Sequence, residues 1–372
     1  MIHIKDKSKC CGCTACASIC NHHAILMKAD SMGFKYPVVD KSKCVDCGLC
    51  VRVCAFNDNY DQSLQFNQPL AYAVRHKDMK EIMTSRSGAA FIAFSDDILS
   101  KGGVIYGAAF NNDFSVSHKR ATTRNQRDEF KGSKYIQSDL SEIFKKVKED
   151  LQAGNTVMFS GTGCQCAGLN SYIEKKLHQN LILIDIVCHG VSSTIVWKDY
   201  ISYQERKLKS KIIKAEFRNK TERGWSSHFE SLTLSDNSII LSDIFAKIYY
   251  QHICLRPSCG KCHYCNLHRP SDITLADYWG FERTSPEFNA DNNGCSLVLI
   301  NTEKGMELFK KSQKDINYIP AQLHNITQGH LERPTQLHSK SSLFSHIYPI
   351  LGFSFTNLIL FNINKIKNKY LK

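Results

Sequence analysis

The sequence holds no apolar run of transmembrane length. The nearest, Ile347 to Ile363, is interrupted by Pro349, Gly352, Asn357 and Asn362, so a spanning helix is not expected. Met1 to Lys9 is polar and lacks the apolar h-region of a secretory leader. No Walker lysine follows a glycine loop, and Gly161-Thr162-Gly163 has Cys166 where a dinucleotide fingerprint needs its third glycine. No basic stripe interleaves with aromatics, and no zinc-finger or RNA-recognition signature is present, which argues against nucleic acid despite a formal charge of +13. With 17 cysteines and no leader, the chain is expected in a reducing compartment, the cytoplasm.

What is present is cysteine in a repeated pattern: Cys10, Cys13, Cys16 and Cys20, then Cys44, Cys47, Cys50 and Cys54. This is the CxxCxxCxxxC run of a bacterial two-cluster ferredoxin, in which the fourth cysteine of each run ligates the other cubane. Cys10, Cys13, Cys16 and Cys54 are therefore expected to hold one 4Fe-4S cluster, and Cys44, Cys47, Cys50 and Cys20 the second. The repeat extends beyond sulfur, since Lys7-Ser8-Lys9-Cys10 returns as Lys41-Ser42-Lys43-Cys44, which predicts two half-modules about a pseudo-twofold axis. Structural zinc is the competing reading, but three cysteines stepping by three suit a single tetrahedral ion poorly. Asn21 and Ala55 replace the proline that commonly follows the fourth cysteine; no ligand is lost by that.

At 372 residues the chain is too long for a ferredoxin alone. The fold class expected is α+β or α/β: a two-cluster ferredoxin domain at 1–60, a polar linker at 61–69, and a larger α/β part divided into subdomains at 70–150 and 151–330. A basic tail at 331–372 follows, carrying Lys365, Lys367, Lys369 and Lys372. It reads as a helix packed on its own domain, with contact to a partner or membrane surface as the alternative. Strands are predicted at Ala71 to Arg75, Val104 to Phe110, Phe114 to Ala121, Thr156 to Ser160 and Leu181 to Val187. Helical patterns run from Ala89 to Leu99, from Leu140 to Ala153 and from the Gly161 loop to Lys176. Ser85 or Ser87 would cap the first of these. Strand, loop and helix in succession gather the loops Gly161-Thr162-Gly163 and Cys188-His189-Gly190 at the carboxyl ends of strands, where α/β proteins place ligands.

A second cysteine group, Cys259, Cys262 and Cys265, repeats the CxxCxxC step. A third cluster would take three ligands there and a fourth from Cys254, Cys188 or Cys164. Cys188 is favoured because it lies on a strand-end loop, while a four-cysteine zinc knuckle with Cys254 competes. Cys11, Cys166 and Cys295 have no such spacing and read as small buried hydrophobes.

Several segments together resemble the coenzyme F420 hydrogenase/dehydrogenase beta-subunit family over residues 70 to 330. They are Ser85 to Ala89, Gly103 to Phe110, Gly132 to Ser138, Gly161 to Gln165, Asp185 to Val191, Arg256 to Cys259 and Ser271 to Gly280. The resemblance implies an iron-sulfur flavoprotein with FAD held near Ser87, Gly88, Gly132, Ser133, Lys134, Tyr135, Gln137, Ser138, Gly161, Thr162, Gly163 and Gln165, and with a cluster close by. Ala89 stands where a second glycine is common, and Gly163 where proline is common. His189 and Lys134 lie in matched loops and are candidate donors to a flavin or substrate anion, or contacts to phosphate; no catalytic acid or base is assigned.

The function expected is an oxidoreductase that passes electrons between the clusters and FAD, reducing or oxidising a small organic substrate such as a deazaflavin or a biosynthetic intermediate. The alternative is a non-catalytic electron-transfer subunit. Three clusters at about −2 each leave a net charge of roughly +7, and a basic surface suits an acidic redox partner.

Overall fold

The computed structural model describes residues 1–57, 66–221 and 223–354. Most of the expected linker and the lysines of the tail lie outside the described residues. The N-terminal module carries an antiparallel hairpin, β1 (Ile25–Ala29) with β2 (Lys35–Val39), and two four-residue helices, Ala15–Ser18 and Leu49–Arg52. The internal repeat is structural. Asp6 Oδ1 accepts from the backbone N–H and hydroxyl of Ser8, and Asp40 Oδ1 does the same for Ser42. Each short helix opens on a residue in the left-handed region, Thr14 at φ 68° and Gly48 at φ 76°. Glycine adopts that conformation without strain and threonine does not.

The larger part is built on one eight-stranded sheet. In chain order its members are β3 (Leu70–His76), β4 (Val104–Phe110), β5 (Val116–Ala121), β6 (Val157–Thr162), β7 (Leu181–Ile186), β11 (Ile273–Asp277), β12 (Ser296–Ile300) and β13 (Ile316–Ala321). Their spatial order is β13-β3-β12-β11-β7-β6-β4-β5. The four central strands β4, β6, β7 and β11 are parallel, and the flanking strands run antiparallel to their neighbours. Strands from both sides of the expected 150/151 boundary interleave in this sheet, which therefore crosses that boundary. A second, three-stranded sheet, β8 (Ile212–Glu216), β9 (Glu230–Leu234) and β10 (Ile239–Ser242), forms where the sequence pattern predicts no element.

Alternation along β6 shows why the sheet is covered twice. Val157 and Phe159 pack with Phe144, Val147, Leu151 and Leu169 on helices Ile143–Gln152 and Gly163–Tyr172. Met158 points the other way, into a core with Phe94, Ile98, Leu308 and Phe309 from helices Ala90–Ser100 and Glu303–Ser312. Successive strand side chains face opposite sides, so a near-continuous apolar run is what a two-sided sheet requires. The ferredoxin module joins the first of these cores through Cys13, Ala15, Val53, Ala55 and Phe56. Phe144 is fully buried there, and Phe144→Ala would cost about 3–5 kcal/mol and loosen the seat of the module.

Several boundaries differ from expectation for local reasons. β5 starts at Val116 because Phe114 turns through φ 60°. Neither Ser85 nor Ser87 caps the helix from Ala90: the cap position is Ala89, at φ 61° and without a side-chain bond, while Ser85 closes the preceding helix Met79–Thr84. A left-handed Cα at Ala89 is the physical reason a glycine suits that place. The helix after Gly161 ends at Tyr172, and Lys175–Asn180 is a 3-10 turn. Residues 341–354 are helical and pack on the chain's own core through Phe344, Tyr348 and Phe353, with Tyr348 donating to Asp199 at 2.8 Å. Among the described residues no helix is long and apolar enough to cross a membrane.

Candidate functional site

The eight ferredoxin cysteines converge in two small pockets with the exchange of fourth ligands that the spacing predicts. One is lined by Cys10, Cys13, Cys16 and Cys54, with Cys11 beside them. The other is lined by Cys44, Cys47, Cys50 and Cys20. Each local run of three lies on one short loop and helix, and the reach of Cys20 and Cys54 to the opposite pocket follows from the pseudo-twofold arrangement. Burial pushes the Cys10, Cys16 and Cys54 thiols up, Cys54 to about 11, with Arg256 opposing the rise at Cys10, the cost of charging a sulfur in an apolar shell. Backbone N–H groups already aim at sulfur, with Ile2 N 3.2 Å from Cys50 Sγ and Ala24 N 3.4 Å from Cys20 Sγ.

The second cysteine group sits against the first. Cys259, Cys262 and Cys265 lie on a loop with Cys188 among them, Cys188 feeling the charges of Cys259, Cys164 and Cys262 once its own burial is counted. The Cys265 and Cys262 thiols are free and hydrogen-bonded to each other, with Cys188 near Cys265. Cys164 turns toward Cys11, and their hydrogen bond draws the Cys164 thiol down to about 7 while Cys11 rises. Cys254 stands apart in the core under the second sheet, with no thiol neighbour among the causes of its shift, so it does not join the group. Cys166 and Cys295 are fully buried, as expected; Cys11 is buried in the same apolar core as Ala15 and Phe56, with its thiol between those of Cys13 and Cys164. Among the described residues no three His, Cys, Asp or Glu side chains are drawn in around a single-ion site.

The loop bearing the second group is bolted to its surroundings on both sides. Tyr264 donates to Ala55 O and His263 stacks on Phe56 at 4.5 Å, both on the ferredoxin module. Arg256, 1 % exposed, donates to Cys10 O at 2.8 Å, Lys35 O at 2.9 Å and Gln137 Oε1 at 2.8 Å, and lies 4.3 Å from the Tyr36 ring centre. On the other side Arg269 pairs with buried Asp185 of β7 at 2.9 Å and donates to Tyr264 O and Ile186 O. Burial raises the Asp185 carboxyl and the Arg269 cation opposes it.

Above the carboxyl ends of β4, β6, β7 and β11 lies a cavity of ≈ 530 Å³. Of the residues predicted to hold a cofactor, Ser87, Gly132, Ser133, Lys134, Tyr135, Ser138, Gly161, Thr162 and Gln165 line it, together with Cys188 and His189. Gly88, Gln137 and Gly163 do not. A methyl on Gly88 would meet Val74 O at 2.1 Å, so the glycine serves the sheet. Gln137 donates to Cys11 O at 3.1 Å and accepts from Arg256, so it serves the ferredoxin contact. Gly163 faces Tyr264, Arg269 and Asp185, where a Cβ would stand 2.9 Å from Tyr264 Cβ. The helix that follows is closed by Gln165 Oε1 accepting from Thr162 N–H at 3.0 Å.

Lys134 curls back to the carbonyls of Glu129 and Lys131 at 3.0 and 2.8 Å. Burial lowers its pKa to about 7, although the side chain is only half-buried by surface; its two carbonyl bonds favour the charged form. His189 is held at both nitrogens, by His330 at 2.8 Å and by His252 at 2.5 Å, and burial lowers it to about 3. The cavity also takes residues that were not named as cofactor contacts. His118 binds Ser138 Oγ at 2.7 Å and Ser160 O at 3.0 Å. Arg86, Arg218, His228, Asp277 and Trp279 line the far side. Arg86 and Asp277 fell inside matched segments; Arg218 and His228 carry no local signal. Arg86 Nε and Nη1 are buried without a partner, and the ring of Tyr135 stacks on Tyr249 at 4.5 Å. Buried cation and flat aromatic surface fit an anionic, planar ligand.

A family model for the C terminus of the coenzyme F420 hydrogenase/dehydrogenase beta subunit matches residues 154–322. That span begins after the Ser85 and Gly132 loops. A 4Fe-4S dicluster domain model matches residues 9–57, which include all eight ferredoxin cysteines. A chain of the F420-reducing [NiFe] hydrogenase complex from Methanosarcina barkeri is similar in fold, with a TM-score of 0.50 and 16 % identity over 72 % of this chain and 96 % of that one. At that identity the likeness concerns the fold alone. No curated protein matches the chain.

Proposed function

We propose, from the premise that the chain belongs to the coenzyme F420 hydrogenase/dehydrogenase beta-subunit family and carries a 4Fe-4S dicluster domain ahead of it, that it is an iron-sulfur flavoprotein oxidoreductase. In this reading a third 4Fe-4S cluster is held by Cys188, Cys259, Cys262 and Cys265, FAD occupies the cavity, and a small organic molecule is reduced or oxidised there. The observation that carries it is the seat of the 259–265 loop. Its Tyr264 and His263 touch the ferredoxin module, while Cys188, from the same thiol group, lines the cavity.

A flavin exchanges two electrons with organic molecules and single electrons with clusters. The chain's own residues do the rest. Ser133 lines the cavity, the Ser138 and Thr162 hydroxyls beside it are held by His118 and Cys164, and the stacked rings of Tyr135 and Tyr249 form part of its wall. Arg256 and Gln137 keep the proximal ferredoxin pocket against the cysteine loop. His330 Nε2 and His189 Nδ1 share a proton at 2.8 Å beside Cys188. No residue selects a deazaflavin over other organic substrates.

A second reading, an electron-transfer subunit, is favoured by the fold neighbour being a chain of a hydrogenase complex. Anaerobic purification with iron, sulfide, zinc and flavin quantification tests the proposal: about twelve iron atoms and one FAD per chain are expected. Zinc in place of iron at the second group, with no flavin, would sink it. A flavin that no organic substrate reoxidises or reduces would select the second reading.

A further inference from the structure

We infer that the cavity has a distinct anion-binding end, built on Arg86 and Arg218, that takes the carboxylate or phosphate group of an organic substrate; this rests on reading the cavity as the redox site.

Two buried guanidiniums share one carboxylate there. Asp277 Oδ2 is 2.8 Å from Arg218 Nη1 and 3.5 Å from Arg86 Nη2, and the three side chains are 11 %, 7 % and 10 % exposed. The other oxygen, Asp277 Oδ1, is taken by Trp225 Nε1 at 3.1 Å. Arg218 also donates from Nε to Ser227 O and from Nη2 to Trp225 O. Arg86 gives Nη2 to Trp225 O, and its Nε and Nη1 have no partner. Nearby Lys220, 6 % exposed, is held by the carbonyls of Ile82, Ser87 and Asn293 and brings no carboxylate with it. Three cations thus face one carboxylate, and the partnerless Nε and Nη1 of Arg86 lie buried in the cavity wall. Buried charges are normally paired, and guanidinium N–H groups are matched by carboxylate or phosphate oxygens. The missing partner is an anion delivered with a ligand.

The walls identify that ligand as organic. Trp279 stacks on Trp225 at 4.4 Å, Arg218 lies over Trp279 at 5.4 Å, and the His228 ring meets Tyr250 edge-on at 5.0 Å. An inorganic ion has no use for such apolar surface. Position separates this end from the Gly161 to Gln165 loop, though not from Ser87, which adjoins Arg86. Asp277 ends β11, and Arg86 lies beside the Ser87–Gly88 turn packed on β3 and β12, whereas Gly161 to Gln165 lie at the end of β6 and the start of the helix after it. The sheet order puts β7, with its Cys188 loop, between them, so at about 4.8 Å per strand the two ends stand roughly 10–15 Å apart. An anionic substrate held at Arg86 would extend toward the middle of the cavity, past Cys188.

The test uses the anaerobic holoprotein titrated by calorimetry with inorganic phosphate in one arm and succinate in the other. Saturable binding of either probe is expected, weakened about tenfold or more in R86Q, with the iron and flavin content of R86Q unchanged. The arm that saturates tells phosphate from carboxylate. If R86Q fails to fold, R86K, which keeps the charge and loses the planar fork, carries the test with a smaller loss of the same sign. Failure of both probes to saturate overturns the inference. So does loss of flavin from R86Q in step with lost binding, which would assign Arg86 to the flavin. If the wild-type protein holds no flavin, R86Q-sensitive binding to the flavin-free chain supports the anion site while the flavoprotein reading falls.

Discussion

Replacing Arg256 with methionine removes a cation that reaches Cys10 from a position three residues before Cys259. Its guanidinium makes three close hydrogen bonds, to Cys10 O, Lys35 O and Gln137 Oε1, and stands 3.7 Å from Cys10 Sγ through Nη2. Bonds from a charged donor contribute about 1.5 kcal/mol each at the low end. Methionine retains most of the packing on Phe34 and Tyr36, so the three lost bonds set the cost, a loss of about 4–5 kcal/mol in seating the module. The electrostatic effect is separable. At 3.7 Å and an effective dielectric near 20, a unit charge pair is worth about 4.5 kcal/mol. Because an added electron is shared over a cubane and its four thiolates, about a quarter of that bears on Cys10, roughly 1 kcal/mol, or ~50 mV for one electron. The cation favours the more negative, reduced cluster, so R256M lowers the potential of that cluster and spares the Cys44 cluster. An EPR-monitored redox titration of the anaerobic protein reads both. If the two ferredoxin potentials both stay within about 10 mV of wild type with full iron content, the guanidinium exerts no field on the cluster and the reasoning fails.

Three further outcomes are expected. A methyl on Gly168 would lie 2.7 Å from Cys13 Sγ; alanine gains about 1 kcal/mol in a helix but overpacking costs about 1–3 kcal/mol, so Gly168→Ala should lower melting temperature and the iron content of the proximal cluster. Cys188→Ser should remove about four iron atoms per chain while Cys254→Ser removes none, read by iron and sulfide assay. Burial lowers His118 to about 4 from 6.5; the unfolded chain therefore takes up its proton first, and stability falls as pH drops from about 6.5 toward 4. Between pH 7.5 and 5.5 the loss is about 1 kcal/mol, and His118→Asn should flatten that part of the pH dependence of thermal unfolding.

The ferredoxin clusters were legible because their ligands are local. Three cysteines within seven residues and a fourth four residues on fix a ligation pattern without any knowledge of how the chain folds back. The loops at 132–138 and 160–165 were legible in outline, since strand, glycine and helix signals place loops at strand ends. Within them, Gly163 and Gln137 face neighbouring protein and not the cavity. A glycine or amide required by a neighbouring protein surface looks the same in sequence as one required by a ligand, and here the neighbours are Tyr264 and Arg256, about a hundred residues downstream.

The sequence by itself determined the two-cluster module, its exchange of fourth ligands and the parallel core of the sheet, because each rests on spacing within a few residues or on a short apolar run. Tertiary structure decided the rest. It brought Cys188 and not Cys254 to the 259–265 loop, wedged that loop between ferredoxin and cavity, and set Arg86 and Arg218 around a single Asp277. Those relations depend on sheet order, in which β3, β12 and β11 are neighbours though far apart in the chain. Two buried guanidiniums share one carboxylate only once the strands that carry them have assembled.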